Sequence, residues 1–479
     1  MADSFYFYDL ETSGINPARS RVMQFAGQRT DFDLKPISGP DNFLIKLTPD
    51  VLPDPEAILI TGITPQQTLA DGISEAEFLK YFHKNIATSG TVFVGFNSIR
   101  FDDEFIRYIN YRNFYDAYEW HWQNDRGRWD ILDLARMTRA LRPDGIKWPV
   151  DSDGKPSNRL ELLASINKLD HFKVHDAMSD VKATMSIAKL IKQKQPKLFD
   201  YLLNMRSKKE VEKLVLKPQA FVYSSGRYGA EFEKTTIAIT LAPHPTQKGS
   251  VFVYDLRFDP APYKDKKPKE LAELMAKYKF EEGEQRLPIK QLQFNRCPAV
   301  APLSVLDEAS IKRLKLDMKK IQANTSALAS MGDFADKIQE AAKINEKLRQ
   351  VAFIVDVSDV DSQLYDGFFN DSDVNKMRIV RLADKNKLAD LNLDFDDNRL
   401  EKLLLLYKAR QYPQSLTEDE QKTWESYRVQ KLLAGDQQSK LAEYFAKVDL
   451  LYQNAKNSQQ KYLLEELKLY GESLIPQNT

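Results

Sequence analysis

The stretch Phe5–Thr12, "FYFYDLET", sets two carboxylates, Asp9 and Glu11, into an apolar run with the composition of a buried strand. Side chains two apart on a strand share a face, so both acids point together, and like charges held close repel unless something neutralises them. A bound cation is one such thing. The spacing alone says little, because acids two apart recur at Asp31, Glu75, Asp151 and Glu418 in this charged chain. What separates Asp9 and Glu11 from these is the run Phe5-Tyr6-Phe7-Tyr8 before them, which implies a setting where unpaired charge is expensive.

Two further stretches offer acids in related settings. In "VFVGFNSIRFDDEF", residues 92–105, Val92 to Phe96 reads as a strand, Asn97-Ser98 as a turn and Phe101 to Phe105 as the opening of a helix that carries Asp102 and Asp103. A lone acid there would serve the helix dipole or a cap. In "KVHDAMSDVKATMSIAKL", Asp176 can cap a helix, His175 precedes it, and Asp180 follows within the helix. His175 and Asp180 can therefore approach one site from a loop and a helix face.

Around these motifs the chain of 479 residues predicts two or three domains, and 42% hydrophobic with 29% charged residues is ordinary for a folded soluble protein. Lys plus Arg and Asp plus Glu balance at 69 each, so a nucleic-acid function must rest on local charge segregation. The one cysteine, Cys297, excludes an intrachain disulfide and a zinc site built from cysteines; its flanks "FNRCPAVAP" read as a strand entering a proline-bounded loop around a packed structural thiol. No apolar run reaches membrane-spanning length and no secretory signal pattern opens the chain, so a cytoplasmic location is expected.

Residues 1–195 read as mixed α/β, with strands in "FYFYDLE", "VMQFAGQRT", "DNFLIKL" and "TVFVGFN" and helices in "FDDEFIRYIN", "ILDLARMTRAL", "RLELLASINKL" and "DAMSDVKATMSIAKLIKQ". Residues 196–350 open on a helical connector, turn β-rich in "AFVYSS", "TTIAITL" and "SVFVYDLRF", and end in one long charged helical pattern from about Ser310 to Val351. Residues 351–479 read as helical throughout, including the pattern "KLAEYFAKVDLLYQNAKNSQQKYLLEELKLYGESL".

Taken together, Asp9, Glu11, Asp102, His175 and Asp180 resemble the signature of the DEDDh exonucleases, in its order and local settings. Hydrolysis of a phosphodiester needs an activated water and compensation of charge on the phosphate and leaving oxygen; two hard divalent ions about 3.5 to 4 Å apart, held by carboxylates, supply both. The resemblance implies two Mg²⁺ ions, with Mn²⁺ as a substitute. It assigns one ion to Asp9, Glu11 and Asp180, and the second mainly to Asp9 with Asp102 nearby, Asp103 being a possible replacement. His175 then takes the proton from the attacking water, a task for an imidazole titrating near neutrality.

The likeness extends further. "LITGITPQQ", "GFNSIRFDDEFIRYINYRNFYDAYEW", "RWDILDLARMTRALRPDGIKWP", "VDSQLYDGFF" and "RLEKLLLLYKARQYP" are similar to the bacterial exonuclease I family across essentially the whole chain. That resemblance implies an α/β ribonuclease-H-like exonuclease domain with a central mixed sheet flanked by helices (1–195), an SH3-like β domain with helical insertions (196–350) and a helical C-terminal domain (351–479). It implies processive 3′→5′ degradation of single-stranded DNA to 5′-mononucleotides in DNA repair and recombination, by a monomer. The implied partner is the single-stranded DNA-binding protein, through its acidic C-terminal tail. One departure is Leu10, where the family's first motif has a tyrosine between its two acids.

A single strand is held by cations on phosphates and aromatic faces on bases. Arg107, Trp122, Arg136, Arg142 and Arg159 are the candidate DNA contacts, with Arg206, Lys208 and Lys209 for more distant phosphates; the competing reading of residues 107–130 is core aromatics beside a solvated charged loop. Two other functions share these features: an RNA-directed DEDDh exonuclease, disfavoured by the extra domains, and a non-catalytic binding module, disfavoured by the intact acids and histidine.

Overall fold

The computed structural model describes residues 4–169, 176–277, 286–353, 359–435 and 438–475. They form two compact units, one of residues 1–126, 172–182 and 357–479, the other of residues 127–171 and 183–356.

In the first unit, β1 (Ser4–Thr12), β2 (Val22–Thr30), β3 (Asp41–Leu44) and β4 (Thr91–Gly95) lie in the order β3-β2-β1-β4. β2 runs antiparallel to β1 and β3, and β4 runs parallel to β1, so the sheet is mixed. Alternation along β1 sends Tyr6, Tyr8 and Leu10 into a core with Phe25, Phe78, Phe82, Phe93 and Trp120. Each such ring or aliphatic chain contributes about 1.5–3 kcal/mol by leaving water. The other face of β1 is therefore the one that carries Asp9 and Glu11.

The C-terminal helices belong to this same unit. Asn398–Gln411 and Asp371–Leu382 close over the helix Asp102–Arg112, placing Leu400, Leu403, Tyr407 and Met377 against Tyr108 and Tyr111. Beside this apolar cluster lies a buried ionic one. Arg410 pairs with Asp50 at 2.6 Å and Asp361 at 2.7 Å, Arg21 with Asp361 at 2.7 Å, and Lys431 with Asp50 at 2.8 Å. Arg112 and Glu75 extend it, 3.2 Å apart. These arginines hold Asp361 below the ordinary carboxylate range despite its burial.

The second unit contains β5 (Gly127–Asp130) and a five-stranded antiparallel sheet of β6 (Phe221–Ser224), β7 (Thr235–Pro243), β8 (Ser250–Asp255), β9 (Ile289–Gln293) and β10 (Ala299–Pro302). Its order is β10-β6-β7-β8-β9, which leaves β9 and β10 at the edges. The helices Pro268–Ala276 and Phe334–Phe353 pack on each other, and the longer one also contacts β7.

Three expectations need correction. The charged pattern from Ser310 to Val351 is three helices, Glu308–Arg313, Met318–Ala329 and Phe334–Phe353. Lys315 turns left-handed at φ 52° and Asp317 caps the second helix through Lys320 N–H, so the charged periodicity hides a chain reversal. Residues 440–474 likewise divide, into Lys440–Gln453 and Ser458–Ser473, because Asn457 caps a new start through Gln460 N–H. Cys297 sits between two strands at φ 45°, after a single turn Phe294–Arg296, and its thiol donates to the Arg128 carbonyl at 3.2 Å, as a buried structural thiol.

Candidate active site

The site begins at β1. Asp9 stands opposite Ala26 and Glu11 opposite Gln24, and the register slips by one residue immediately after Glu11, where Thr12 faces Val22. Such a bulge ends the regular pairing beside the acids and re-aims the chain. Leu10, between them, points the other way into the core, and its backbone N–H donates to Asp102 Oδ1 at 3.1 Å.

Asp102 is the first residue of the helix Asp102–Arg112, which follows β4 through Asn97 in the left-handed region at φ 67° and a single turn Ser98–Arg100. Its neighbour Asp103 accepts the hydroxyl of Tyr8, which stands on the core face of β1. The two adjacent acids are thus held by different groups: Asp102 by the strand backbone, Asp103 by a core tyrosine. Asp102 raises the pKa of Asp9 by repulsion, so it shares the electrostatic environment of the first motif.

Asp180 comes from the opening of the helix Ala177–Lys194. Asp176 fixes that opening by accepting from the backbone N–H of Ser179 at 3.1 Å and its hydroxyl at 3.0 Å. One carboxylate oxygen from each of Asp9, Glu11 and Asp180 falls within 4.8 Å of the others. Burial is the largest cause of a pKa well above the ordinary range at Asp9, followed by Asp102, Asp180, Glu11 and Asp176. Glu11 is pushed up to about 8 by burial and by Asp180 and Asp176. An all-oxygen donor set that resists ionising on its own is what a hard divalent cation relieves, so these residues fit such an ion. His175 lies outside the described residues.

The candidate DNA contacts take different positions. Trp122 is exposed at 58% and follows the turn Glu119–His121, whereas Trp120 is wholly buried in the core. Arg107 is buried against Glu104, 2.7 Å away, and lies over the Tyr118 ring. Residues 107–130 thus combine core aromatics such as Trp120 with an exposed ring at Trp122. In the second unit Arg136 pairs with Asp133 at 2.6 Å, and Arg142 donates to the Val305 carbonyl at 2.8 Å and reaches Asp307 at 3.4 Å. Arg159 occupies the N-cap position of the helix Leu160–Ile166, exposed and paired with Glu161 at 2.6 Å. Arg206 donates to the Leu203 carbonyl, and Lys208 opens the helix Lys208–Val215.

Sequence reasoning missed the support beneath the acids. The Leu10 amide on Asp102 and the Tyr8 hydroxyl on Asp103 join residues more than ninety positions apart, and nothing in local pattern announces them. The field of Asp176 on Glu11 had a signal in the short spacing to Asp180, but its capping role accounted for it fully.

Three family models match the chain: Exonuclease over residues 6–188, Exonuclease I SH3-like domain over 206–343 and Exonuclease I C-terminal domain over 358–474. The curated exodeoxyribonuclease I of Haemophilus influenzae is 41% identical over 480 residues, covering 98% of this chain and 99% of that protein. Among solved structures, Escherichia coli exonuclease I in complex with a dA16 oligonucleotide is 38% identical with a TM-score of 0.93, over 99% of this chain and 100% of that one. A complex described as ExoI/SSB-Ct is 37% identical with a TM-score of 0.92 and the same coverage. No helix among the described residues is long and apolar enough to cross a membrane.

Proposed function

The chain belongs to the exonuclease I family, and from that membership we propose that it is an exodeoxyribonuclease removing nucleotides processively from the 3′ end of single-stranded DNA, releasing 5′-mononucleotides in DNA repair and recombination. The observation that carries the site assignment is the convergence of Asp9, Glu11 and Asp180 within 4.8 Å. These three would hold a divalent cation, with Asp102 completing the set beside Asp9; we take the cation to be Mg²⁺, two ions per site. When bound, the metal supplies charge compensation at the phosphate and a more acidic water.

The chain's own residues do the rest. The Leu10 amide keeps Asp102 turned toward β1, and Tyr8 keeps Asp103 out of its way. Asp176 sets the first turn of the helix that presents Asp180. His175 is assigned the proton of the attacking water. Trp122 is suited by its exposure to stack on a base, and Arg159, Arg142, Arg136 and Arg107 are assigned to the strand, Arg107 in a positioning role through Glu104 and Tyr118.

The proposed domains remain 1–195, 196–350 and 351–479. The partner is the acidic C-terminal tail of the single-stranded DNA-binding protein, by kinship with the ExoI/SSB-Ct complex. We further take the protein to be monomeric and cytoplasmic. A 5′-labelled single strand, beside matched duplex and RNA, tests the reading with Mg²⁺ and with EDTA. Mg²⁺-dependent shortening from the 3′ end with duplex and RNA spared is expected; preference for RNA, or binding without cleavage, overturns it.

A further inference from the structure

The second unit contains a cavity of about 390 Å³ that the reaction above does not use. Strands β8 and β9 give it Phe252 and Ile289, the helix Pro268–Ala276 gives Leu274 and Met275, and the helix Phe334–Phe353 gives Ala342. These make an apolar lining. Arg227, from the connection between β6 and β7, Lys290 on β9 and Arg349 on the long helix bring positive charge to the same space. Lys277 and Arg286 also line it, and Glu346 is the one acid among its described lining residues.

Two details give the cavity a chemical preference. The His244 ring lies against Phe252, centroids 5.0 Å apart at 31°, forming an aromatic wall. His244 Nδ1 accepts from the backbone N–H of Gln247 at 3.1 Å and of Thr246 at 3.3 Å, which leaves Nε2–H as a donor, and burial lowers the pKa of the ring. Lys290 is drawn below the ordinary ammonium range by burial and then by Arg227, so an anion between these two would ease that repulsion. The volume lies within the range of small-molecule sites, about 300–1,000 Å³.

We propose that this cavity binds a nucleoside phosphate unit, its phosphate between Arg227 and Lys290 and its base on the Phe252–His244 wall. Charge alone would suit inorganic phosphate, and the apolar lining alone an aliphatic group; the two together within one cavity suit a nucleotide. Such a unit has two sources, a nucleotide within a bound strand or a released 5′-mononucleotide. That pair of sources rests on the exonuclease reading, while the site itself does not.

The test uses the full chain carrying Asp9→Asn, in EDTA, titrated with dAMP, inorganic phosphate and a dT16 oligonucleotide, with binding read by calorimetry. dAMP is expected to bind, and Arg227→Gln and Lys290→Gln each to weaken it about tenfold, the loss of one charge-assisted contact. Phe252→Leu should weaken dAMP while leaving inorganic phosphate unchanged, which separates base recognition from misfolding. If dT16 displaces dAMP one for one, the cavity holds a nucleotide of the strand; if dAMP also binds the dT16 complex, it holds released product. Absence of dAMP binding, or binding indifferent to all three substitutions, overturns the proposal. Digestion of single-stranded DNA by the unsubstituted chain is scored separately, so failure of the cavity and failure of the exonuclease reading give different results.

Discussion

Leu10 sits between two carboxylates and faces away from both, so β1 carries its apolar anchor and its acids on opposite faces. Its side chain anchors β1 in the core while its amide holds Asp102. Leu10→Ala is expected to cost about 2–5 kcal/mol, read as a lowered urea midpoint at unchanged m-value. The acids behave oppositely. Asp9→Asn removes one of several crowded negative charges, so it should raise the thermal midpoint of the metal-free protein while lowering the rate of DNA digestion by at least about 10²-fold. Glu11 gives the pH dependence. Its folded pKa of about 8 exceeds its ordinary 4.5, so the folded chain keeps a proton that the unfolded chain releases. That contribution is complete below about pH 4.5 and is lost as pH rises through about 8. In EDTA the thermal midpoint should therefore fall across this interval, and saturating Mg²⁺ should flatten the fall, checked by scanning calorimetry at a series of pH values. At this scale the sequence was most legible: alternation along Phe5–Thr12 paired the two acids, and the capping pattern at Asp176 placed Asp180. The Tyr8–Asp103 contact was not, because it depends on which of two adjacent acids a distant strand reaches.

At the scale of elements, periodicity located most strands and helices and failed where a polar residue served both as surface and as cap. Asp317 and Asn457 each look like one more solvated position in a charged helix, yet each begins a new one. Strand β3 ends at Leu44, short of the apolar continuation "IKL", since Ile45 leaves the ladder to bridge Ile73. The ionic cluster around Asp361 is likewise a property of assembled elements, drawing on β2's approach, the turn before the Asp371 helix and the helices Asn398–Gln411 and Glu418–Leu433. Removing one partner leaves the rest buried and unmatched, so Arg410→Met should destabilise by about 3–5 kcal/mol. Equilibrium urea unfolding checks this, and a loss under about 1 kcal/mol would mean that water reaches the cluster.

Over the whole molecule, composition marks where the chain changes character but carries no information on which stretches share a core. The β-rich middle and helical end were readable as segments. That Tyr111 would donate to the Val360 carbonyl and pack among Leu400, Leu403 and Tyr407 was not, since long-range pairing leaves no local periodicity. A chain ending at residue 356 is accordingly expected to expose the apolar face of the helix Asp102–Arg112, to bind a hydrophobic dye and to lose DNA digestion, even with every acid of the site present. The same architecture bears on birth at the ribosome. Arg21 and Asp361 are 340 positions apart, and at about 5–20 residues per second the first waits roughly 20–70 s for the second to be made. Throughout that interval Arg21 has Asp50 and Glu75 within reach but lacks its nearest carboxylate, Asp361, so the ionic cluster at the foot of β2 closes only late in synthesis.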